Sequence, residues 1–286
     1  MAVVMKVIKG RIVKQISNDY TVQALEDGQV YVCKARGKFR KMEISPLVGD
    51  FVNFDADEKY ILDILSRKNE LNRPRISNVD QAMIITSLKS PDFDSNLLDK
   101  LITIIEFNRI TPIIIFTKAD LLSALEKEKL DKYITYYKKI GYMVLMNTEL
   151  DKIKKLFKGK VSVFTGQSGA GKSTLLNHLE PSLNIKTSEI SLVLNRGKHT
   201  TRYTSLISLF GGLVADTPGF SALSFGNMTN SDIRDNFIDF EKWRFGCKYR
   251  DCMHNKEDDC LVKKKVKDGE ILLSRYENYL NFINKR

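Results

Sequence analysis

The chain has 286 residues, of which 43% are hydrophobic, an ordinary fraction for a globular protein long enough for two domains or more. Its longest apolar runs are strand-sized and well short of the roughly 18 residues that a membrane span needs. With no signal-peptide layout at the N-terminus, the composition predicts a cytoplasmic protein without a membrane segment. The formal net charge of +11 favours a polyanionic partner.

The first part of the chain, to about residue 68, lacks helical periodicity and alternates like short strands. Turn residues separate five candidate strands, at 3–7, 11–16, 20–25, 29–33 and 51–54. Short strands at this spacing predict a small β-barrel of the OB type. We therefore place a first domain at 1–70.

A run of cations within this domain occupies every second position, at Lys34, Arg36, Lys38 and Arg40. In an extended chain these side chains would share one face, with the aromatic Phe39 among them. We interpret the run as an RNA contact, and the alternative is a solvated loop.

After residues 71–74, which read as a linker, the pattern changes. Apolar strands are predicted at 82–87, 112–116 and 142–146, and amphipathic helices at 97–107 and 126–140. Strands alternating with helices indicate a parallel sheet with helices on both faces. This second domain is predicted to span 71–230.

A candidate base-reading motif follows the strand at 112–116. It consists of Thr117, Lys118, Ala119 and Asp120, which match the [NT]-K-x-D pattern of GTPases. One carboxylate can accept from both N1–H and the N2 amino group of guanine, and adenine offers no such pair of donors. Asp120 therefore predicts guanine specificity, and the stem of Lys118 would cover the ring. The alternative is a surface Lys-Asp pair at the start of a helix.

A candidate phosphate loop lies at 166–174, between an apolar strand at 161–164 and the start of a helix. Its residues are Gly166, Gln167, Ser168, Gly169, Ala170, Gly171, Lys172, Ser173 and Thr174. The glycines let backbone N–H groups converge on an anion at a helix N-terminus. Lys172 would then reach the outer phosphates, and the Ser173 hydroxyl would ligate Mg²⁺. This pattern predicts a nucleoside-triphosphate site.

Two further elements fit a bound Mg²⁺–nucleotide. Asp216 and Gly219 belong to a D-x-x-G element, in which the carboxylate approaches Mg²⁺ and the glycine amide senses the γ-phosphate. Either Thr200 or Thr201, in the polar loop at 196–201, could bind Mg²⁺, and the spacing does not choose between them. Asn147 and Thr148 stand where a guanine O6 contact would be expected, and they are left unassigned.

The order of these motifs departs from that of ordinary GTPases, because the base-reading motif comes before the phosphate loop. Circular permutation produces this order when the original termini lie close together. The D-x-x-G element then leads directly into the C-terminal segment, to which a nucleotide-driven shift could be passed.

The C-terminal segment carries a cluster of possible metal ligands, Cys247, Cys252, His254 and Cys260. Three thiolates and an imidazole suit a closed, tetrahedral, structural Zn²⁺ site. We predict a small zinc module at 231–286, ending in a helix at 269–283. Cys33, far from the cluster, is expected to pack in the barrel.

Taken together, TKAD, GQSGAGKST, RGKHTT, DTPGF and the cysteine cluster resemble the bacterial ribosome small subunit-dependent GTPase A family over essentially the whole chain. The resemblance implies a multidomain α/β protein with a permuted GTPase domain. It also implies GTP hydrolysis stimulated by the small (30S) ribosomal subunit, in late maturation of that subunit, by a monomer that binds rRNA, GTP and GDP.

The catalytic group is less evident from the sequence. Phe220 follows DTPG where many GTPases place a water-orienting Gln, so slow intrinsic hydrolysis is expected. The resemblance makes His199 a candidate substitute, acting with Lys172, although a loop histidine without a role is a rival interpretation. A P-loop kinase and an RNA-binding scaffold with a vestigial pocket are the alternative functions.

Overall fold

The computed structural model describes residues 6–72, 75–183, 204–216 and 223–284. The described residues of Met1–Gln81, Leu150–Phe164 and Ser173–Phe220 form one compact unit, and those of Ala82–Glu149, Thr165–Lys172 and Ser221–Arg286 form a second. Within the described ranges, no helix is both long enough and apolar enough to span a membrane.

The described strands are β1 (Val7–Ile16), β2 (Asp19–Ala24), β3 (Val30–Ala35), β4 (Phe51–Asp55), β5 (Tyr60–Ile64), β6 (Glu70–Asn72), β7 (Arg75–Ser77), β8 (Gln81–Ser87), β9 (Thr111–Thr117), β10 (Met143–Met146), β11 (Val161–Gly166), β12 (Ser205–Leu209) and β13 (Gly212–Asp216). The described α-helices are α1 (Lys38–Lys41), α2 (Ser95–Phe107), α3 (Ala124–Lys139), α4 (Leu150–Leu156), α5 (Lys172–Leu179), α6 (Asn230–Asp235), α7 (Ile238–Arg244), α8 (Leu261–Lys267) and α9 (Leu273–Asn284).

The first five strands form a closed barrel. They follow the order β1-β2-β3-β5-β4, and β4 pairs back with β1. Neighbours are antiparallel except for β3 and β5, which are parallel. The side chains of Ile12, Val22, Phe54 and Ile61 fill the interior and are fully buried. The predicted OB-type barrel is confirmed.

The barrel begins with one continuous strand, and the predicted break at Gly10 is wrong. Gly10 lies inside β1, paired with Ala24 and Val52. A Cβ at this position would stand 2.5 Å from Val22 Cγ1 and 2.9 Å from Phe54 Cε1. The glycine therefore permits a close approach within the barrel and does not mark a turn.

The run of cations is not extended, which corrects the prediction that its members alternate along one strand. Lys34 lies near the end of β3, and Lys38 and the backbone of Arg40 belong to the short helix α1. Phe39 is buried, because the turn of α1 directs its ring inward. The exposed side chains of Lys34, Arg36 and Lys38 are thus placed by a strand end and a helical turn rather than by a two-residue repeat.

The segment predicted as a linker forms part of a hairpin instead. Leu71 in β6 pairs with Ile76 in β7, and both side chains are buried. Residues 73 and 74 lie outside the described ranges.

In the first unit, the strand order continues beyond the barrel as β11-β13-β12-β1. β11 and β13 are parallel, whereas β12, which the sequence analysis did not predict, is antiparallel to β13. β12 also pairs with β1 through Ser205 and Lys14, so a single strand serves both the barrel and this sheet.

In the second unit, β8, β9 and β10 are neighbours in the sheet, and β9 and β10 are parallel as predicted. Their central residues are buried. The N-terminus of α2 is capped by Asp94, whose carboxylate accepts from the backbone N–H groups of Asn96 and Leu97. The helix α3 begins at Ser123 in a capping box with Glu126.

The four helices that follow residue 229 share an aromatic core. It contains Ile233, Phe237, Phe240, Tyr279 and Phe282. The final helix starts at Leu273 rather than at the predicted 269, because Gly269, with a φ of +75°, follows the end of α8.

Candidate nucleotide site and metal centre

The phosphate loop leaves β11 at Gly166, where the backbone passes close to its neighbour. A Cβ on Gly166 would lie 1.9 Å from the carbonyl oxygen of Ile85, and the φ of +130° also favours glycine. Gly169 and Gly171 have positive φ as well. The three glycines therefore let the chain make the tight turn that leads into α5, as the motif predicts.

Lys172, at the first position of α5, points its side chain back into the loop. Its Nζ donates to the carbonyl oxygens of Gly166 and Gln167, both at 2.7 Å, and the residue is only 4% exposed. Burial lowers the pKa of this ammonium to about 8. An anion placed beside Lys172 would favour its charged form, which suits a phosphate-binding role.

The next two residues of α5 differ in exposure. Ser173 is buried and Thr174 is exposed. A buried serine at the second residue of a helix that follows a phosphate loop is suited to ligating a cation that accompanies the phosphates.

The base-reading motif begins at the end of β9, where two of its side chains contact the phosphate loop. The Thr117 hydroxyl donates to the carbonyl oxygen of Ala170 at 2.6 Å. The Lys118 ammonium donates to the carbonyl oxygens of Gly169, at 2.8 Å, and of Ser90. Motifs that lie about fifty residues apart in sequence are therefore joined directly.

The remaining two residues of this motif are less buried than Thr117. Ala119 and Asp120 begin a turn of 3₁₀ helix (Ala119–Leu121), and Asp120 is exposed. Asn147 follows β10 and donates its backbone N–H to the Phe116 carbonyl at 2.9 Å. The carboxyl ends of β9 and β10 thus border the same edge of the sheet.

Several predicted site residues cannot be placed. His199, Thr200, Thr201 and Gly219 lie outside the described residues. Asp216 is the last residue of β13, and its side chain is likewise outside the description. Phe220 also falls in this group. The Mg²⁺ ligands and the catalytic histidine therefore stay predictions.

The four predicted metal ligands converge. The ligand atoms of Cys247, Cys252, His254 and Cys260 all lie within 4.8 Å of one another. Cys247 Sγ is 3.9 Å from Cys260 Sγ and 3.7 Å from His254 Nδ1, and His254 Nδ1 is 3.3 Å from Cys260 Sγ. Tetrahedral Zn²⁺ with Zn–S bonds of about 2.3 Å needs sulfurs about 3.8 Å apart.

The protonation chemistry of this cluster also fits a metal. Burial raises the pKa of Cys252 to about 12 and raises that of Cys260. Burial lowers the pKa of His254 to about 4, which keeps its imidazole neutral and able to act as a ligand. A divalent cation would supply the charge that stabilises thiolates here. The residues present thus fit a structural zinc ion.

Comparison with known proteins identifies the family of the chain. A family model described as RsgA GTPase matches residues 64–226, and one described as RsgA N-terminal domain matches residues 9–60. The chain belongs to the RsgA GTPase family. It is a GTP hydrolase with a permuted order of nucleotide motifs.

Related RsgA proteins match over nearly their full length. The small ribosomal subunit biogenesis GTPase RsgA 2 of Oceanobacillus iheyensis is 48% identical over 285 residues, covering 97% of each chain. The small ribosomal subunit biogenesis GTPase RsgA of Geobacillus kaustophilus is 46% identical over 283 residues, covering 96% of each.

Solved structures extend the similarity to the fold. The crystal structure of YloQ, a circularly permuted GTPase, has a TM-score of 0.84 and 37% identity, covering 100% of this chain and 96% of that one. YjeQ from Thermotoga maritima has a TM-score of 0.85 and 32% identity, covering 98% of each chain.

One buried cluster of this RsgA-family chain escaped the sequence analysis. Arg275 on α9 donates to Asp99 on α2 at 2.6 Å and to Asp239 on α7 at 2.9 Å, and all three side chains are buried. Tyr137 and Tyr136 donate to the same two carboxylates, at 2.6 and 2.8 Å. The sequence did hold one sign of this cluster, because the carboxylate of Asp99 stands among the apolar residues on the buried face of α2.

Proposed function

We propose that this GTPase hydrolyses GTP to GDP and phosphate in the biogenesis of the small ribosomal subunit, which it binds through rRNA. The observation that carries the guanine-nucleotide assignment is the Thr117–Ala170 hydrogen bond, which joins the base-reading motif to the phosphate loop. The relatives named above supply the ribosomal part of the proposal.

The nucleotide would be held by residues of three motifs. The backbone N–H groups of the phosphate loop would surround the phosphates, with Lys172 beside them. Asp120 would accept from guanine, and Lys118 would lie along the base. Gly219 would sense the γ-phosphate.

A Mg²⁺ ion bound with GTP would neutralise the charge that develops on the transferred phosphoryl group. Ser173, Asp216 and either Thr200 or Thr201 are the residues proposed to hold it. His199 is proposed to orient the attacking water, since Phe220 has no group that can do so.

The Cys247, Cys252, His254 and Cys260 cluster is proposed to bind one structural Zn²⁺. Four protein ligands leave no open coordination position, so the ion would stabilise the fold of the module and take no part in hydrolysis.

Two surfaces are proposed to contact rRNA. The first is formed by the exposed cations Lys34, Arg36 and Lys38, and Arg40 is proposed to belong to it. Lys38 is paired with Asp63 at 2.7 Å at the surface, an interaction that water and salt weaken readily. These cations suit the phosphate backbone rather than base edges.

The second surface borders the metal cluster. It presents Arg244, Phe245, Lys248 and Tyr249, with Phe245 78% exposed. The Arg244 guanidinium lies 4.8 Å from the Phe245 ring centroid, and Lys248 Nζ lies 5.7 Å from that of Tyr249. Exposed rings flanked by cations suit stacking on unpaired bases of RNA.

We further propose a three-domain division at 1–70, 71–230 and 231–286, and a monomeric protein in the cytoplasm. In this arrangement the D-x-x-G element leads directly into the zinc module. Docking of that module on rRNA would then reposition the loops around the γ-phosphate and stimulate hydrolysis.

The decisive experiment measures GTP hydrolysis with and without purified small ribosomal subunits. We expect slow turnover alone and a large stimulation that declines as salt rises, because the contacts are chiefly to phosphates. No stimulation at low salt would contradict the ribosomal part of the proposal.

Two variants separate docking from catalysis. Replacing Lys34, Arg36, Lys38 and Arg40 together with Ala should lower the stimulated rate and leave the intrinsic rate unchanged. His199→Ala should lower the stimulated rate without weakening GTP binding, and a normal rate in this variant would exclude His199 as the catalytic group.

A further inference from the structure

The Lys118 ammonium is held by a backbone segment that belongs to none of the nucleotide motifs. Ser90 accepts from Lys118 Nζ through its carbonyl oxygen. The neighbouring Pro91 borders the phosphate loop, since a Cβ on Gly169 would stand 3.6 Å from Pro91 Cδ. The connecting segment, residues 88–94, therefore contacts both the base-reading motif and the phosphate loop.

This connecting segment is fixed at both ends. Leu88 donates its backbone N–H to the Thr117 carbonyl at 3.1 Å, which continues the pairing of β8 with β9. At the other end Asp94 caps α2, accepting from Asn96 N at 2.9 Å and Leu97 N at 3.0 Å. A displacement of the first turn of α2 would therefore move the segment beside Lys118.

The first turn of α2 is in turn bonded to α9. Asn96 Nδ2 donates to Asn278 Oδ1 at 3.0 Å. Asn278 Nδ2 donates to Ser95 Oγ at 3.3 Å and to Asp99 Oδ2 at 2.7 Å. Since Arg275 also donates to Asp99, one face of α9 fixes both the position and the rotation of this turn.

The same helix contacts the metal-binding segment through other residues. The Tyr279 hydroxyl donates to the Met253 carbonyl at 2.5 Å, and the Tyr276 hydroxyl donates to the His254 carbonyl at 2.8 Å. A chain of direct contacts thus runs from the metal cluster through α9, α2 and the connecting segment to Lys118.

We propose that Asn278 is a positioning residue for the guanine-nucleotide site, acting through the first turn of α2 on the connecting segment and so on Lys118. This inference rests on the proposed guanine site and adds the route by which the C-terminal module sets its affinity. The side chain of Asn278 satisfies three partners on α2, so its loss frees the turn without removing the Arg275–Asp99 pair.

The test is a double-mutant cycle on nucleotide affinity in the full-length free protein, measured with fluorescent GDP and Mg²⁺. Asn278→Ala should weaken binding by about three- to tenfold, the effect of one to two hydrogen bonds. Lys118→Ala should weaken it by more. If Asn278 acts through Lys118, the double variant should lose little beyond Lys118→Ala alone.

Two further variants distinguish positioning from a general loss of stability. Tyr136→Phe removes a hydrogen bond from the same buried cluster, to Asp239, without touching α2. It should lower the melting temperature and leave GDP affinity unchanged. Asn96→Ala leaves every contact of Asp99 in place and should weaken GDP binding as Asn278→Ala does. It replaces Asn278→Ala as the test if that variant folds poorly.

These variants are tested by GDP affinity of the free protein, so their outcomes do not depend on the experiment with small ribosomal subunits. Unchanged GDP affinity in folded Asn278→Ala and Asn96→Ala, or losses that add fully to that of Lys118→Ala, would overturn the positioning role. If the parent chain bound no guanine nucleotide, the proposed function itself would fail, and with it the basis of this inference.

Discussion

The hydroxyl of Thr117 donates to the backbone carbonyl of Ala170, 53 residues further along the chain, at 2.6 Å. This hydrogen bond places a residue of the base-reading motif directly behind the phosphate loop. The base-reading motif precedes the phosphate loop along the chain, and the two are in direct contact in the fold.

Thr117→Val should weaken GDP and GTP binding by about five- to tenfold. The substitution keeps the shape of the side chain and removes its hydroxyl, a loss worth about 1 kcal/mol. Isothermal titration calorimetry measures the effect. Thr117→Ser, which retains the hydroxyl, should bind nearly as tightly as the parent, and equal losses in both variants would argue against the hydrogen bond.

Asp120→Asn should weaken GTP binding by at least about tenfold, because a charge-assisted acceptor for two guanine donors is lost. The amide can instead donate to the carbonyl at position 2 of xanthine, so xanthosine triphosphate should bind better to the variant than to the parent. Competition against labelled GDP measures both. Asp131→Asn, an exposed site on α3, is the matched control and should change neither affinity.

Nucleotide binding should take up a proton above pH 8. Burial lowers the pKa of Lys172 to about 8, whereas nearby phosphates would favour the ammonium and raise this pKa again. GDP affinity should therefore fall as pH rises from about 7 to 8.5. Calorimetry at pH 8.5 in two buffers of different ionisation enthalpy counts the protons.

The same depressed pKa has a stability consequence of defined sign. The unfolded chain, with an ordinary lysine pKa, binds more protons than the folded chain between about pH 8 and 10.5. The Lys172 contribution to the free energy of unfolding therefore rises with pH in that window. The variant Lys172→Arg tests the proton uptake on nucleotide binding, because its guanidinium does not titrate in this range. The uptake seen with the parent should be absent in the variant, and equal uptake in both proteins would contradict the assignment to Lys172.

One Zn²⁺ per chain should copurify with the protein, as native mass spectrometry can determine. Cys252→Ser should lose the metal and the hydrogen-exchange protection of residues 247–260, because this polar segment has few other means of folding. Protection in α2 should persist. Cys33→Ser, a thiol buried in the barrel, should retain the zinc, and zinc-free parent protein prepared under reducing conditions would refute the site.

Arg275→Met should destabilise the protein by roughly 3–5 kcal/mol, because two buried carboxylates lose their cation. Adding Asp99→Asn and Asp239→Asn to this variant should recover part of the loss by removing the uncompensated charges. Urea unfolding with matched m-values measures the free energies. If Arg275→Met alone were as stable as the parent, the cluster would contribute no stability.

Much of the site could be predicted from the sequence because the residues of each motif lie close together along the chain. This holds for the phosphate loop, the base-reading motif and the metal ligands. The contact of Thr117 with the phosphate loop agrees with the position of each motif directly after the carboxyl end of a strand, β9 and β11. Alternating apolar segments also predicted the barrel and the strands of the second unit.

The failures have physical causes of a different kind. Gly10 resembles a strand break, but its role depends on Phe54, which approaches only in the closed barrel. The cations from Lys34 to Lys38 alternate in sequence, and the burial of Phe39 draws the chain into a helical turn. The position of Asp99 on the apolar face of α2 is visible in the sequence, but its pairing with Arg275 is not, because that pairing depends on how α2 packs against α9.

The buried Asp99–Arg275 pair also orders events during synthesis. Arg275 is translated 176 residues after Asp99, a delay of roughly 9 to 35 s at 5–20 residues per second. Throughout that interval the α2 carboxylate has no cation and cannot be buried at low cost. We therefore expect α2 to reach its final packing only after α9 has been made.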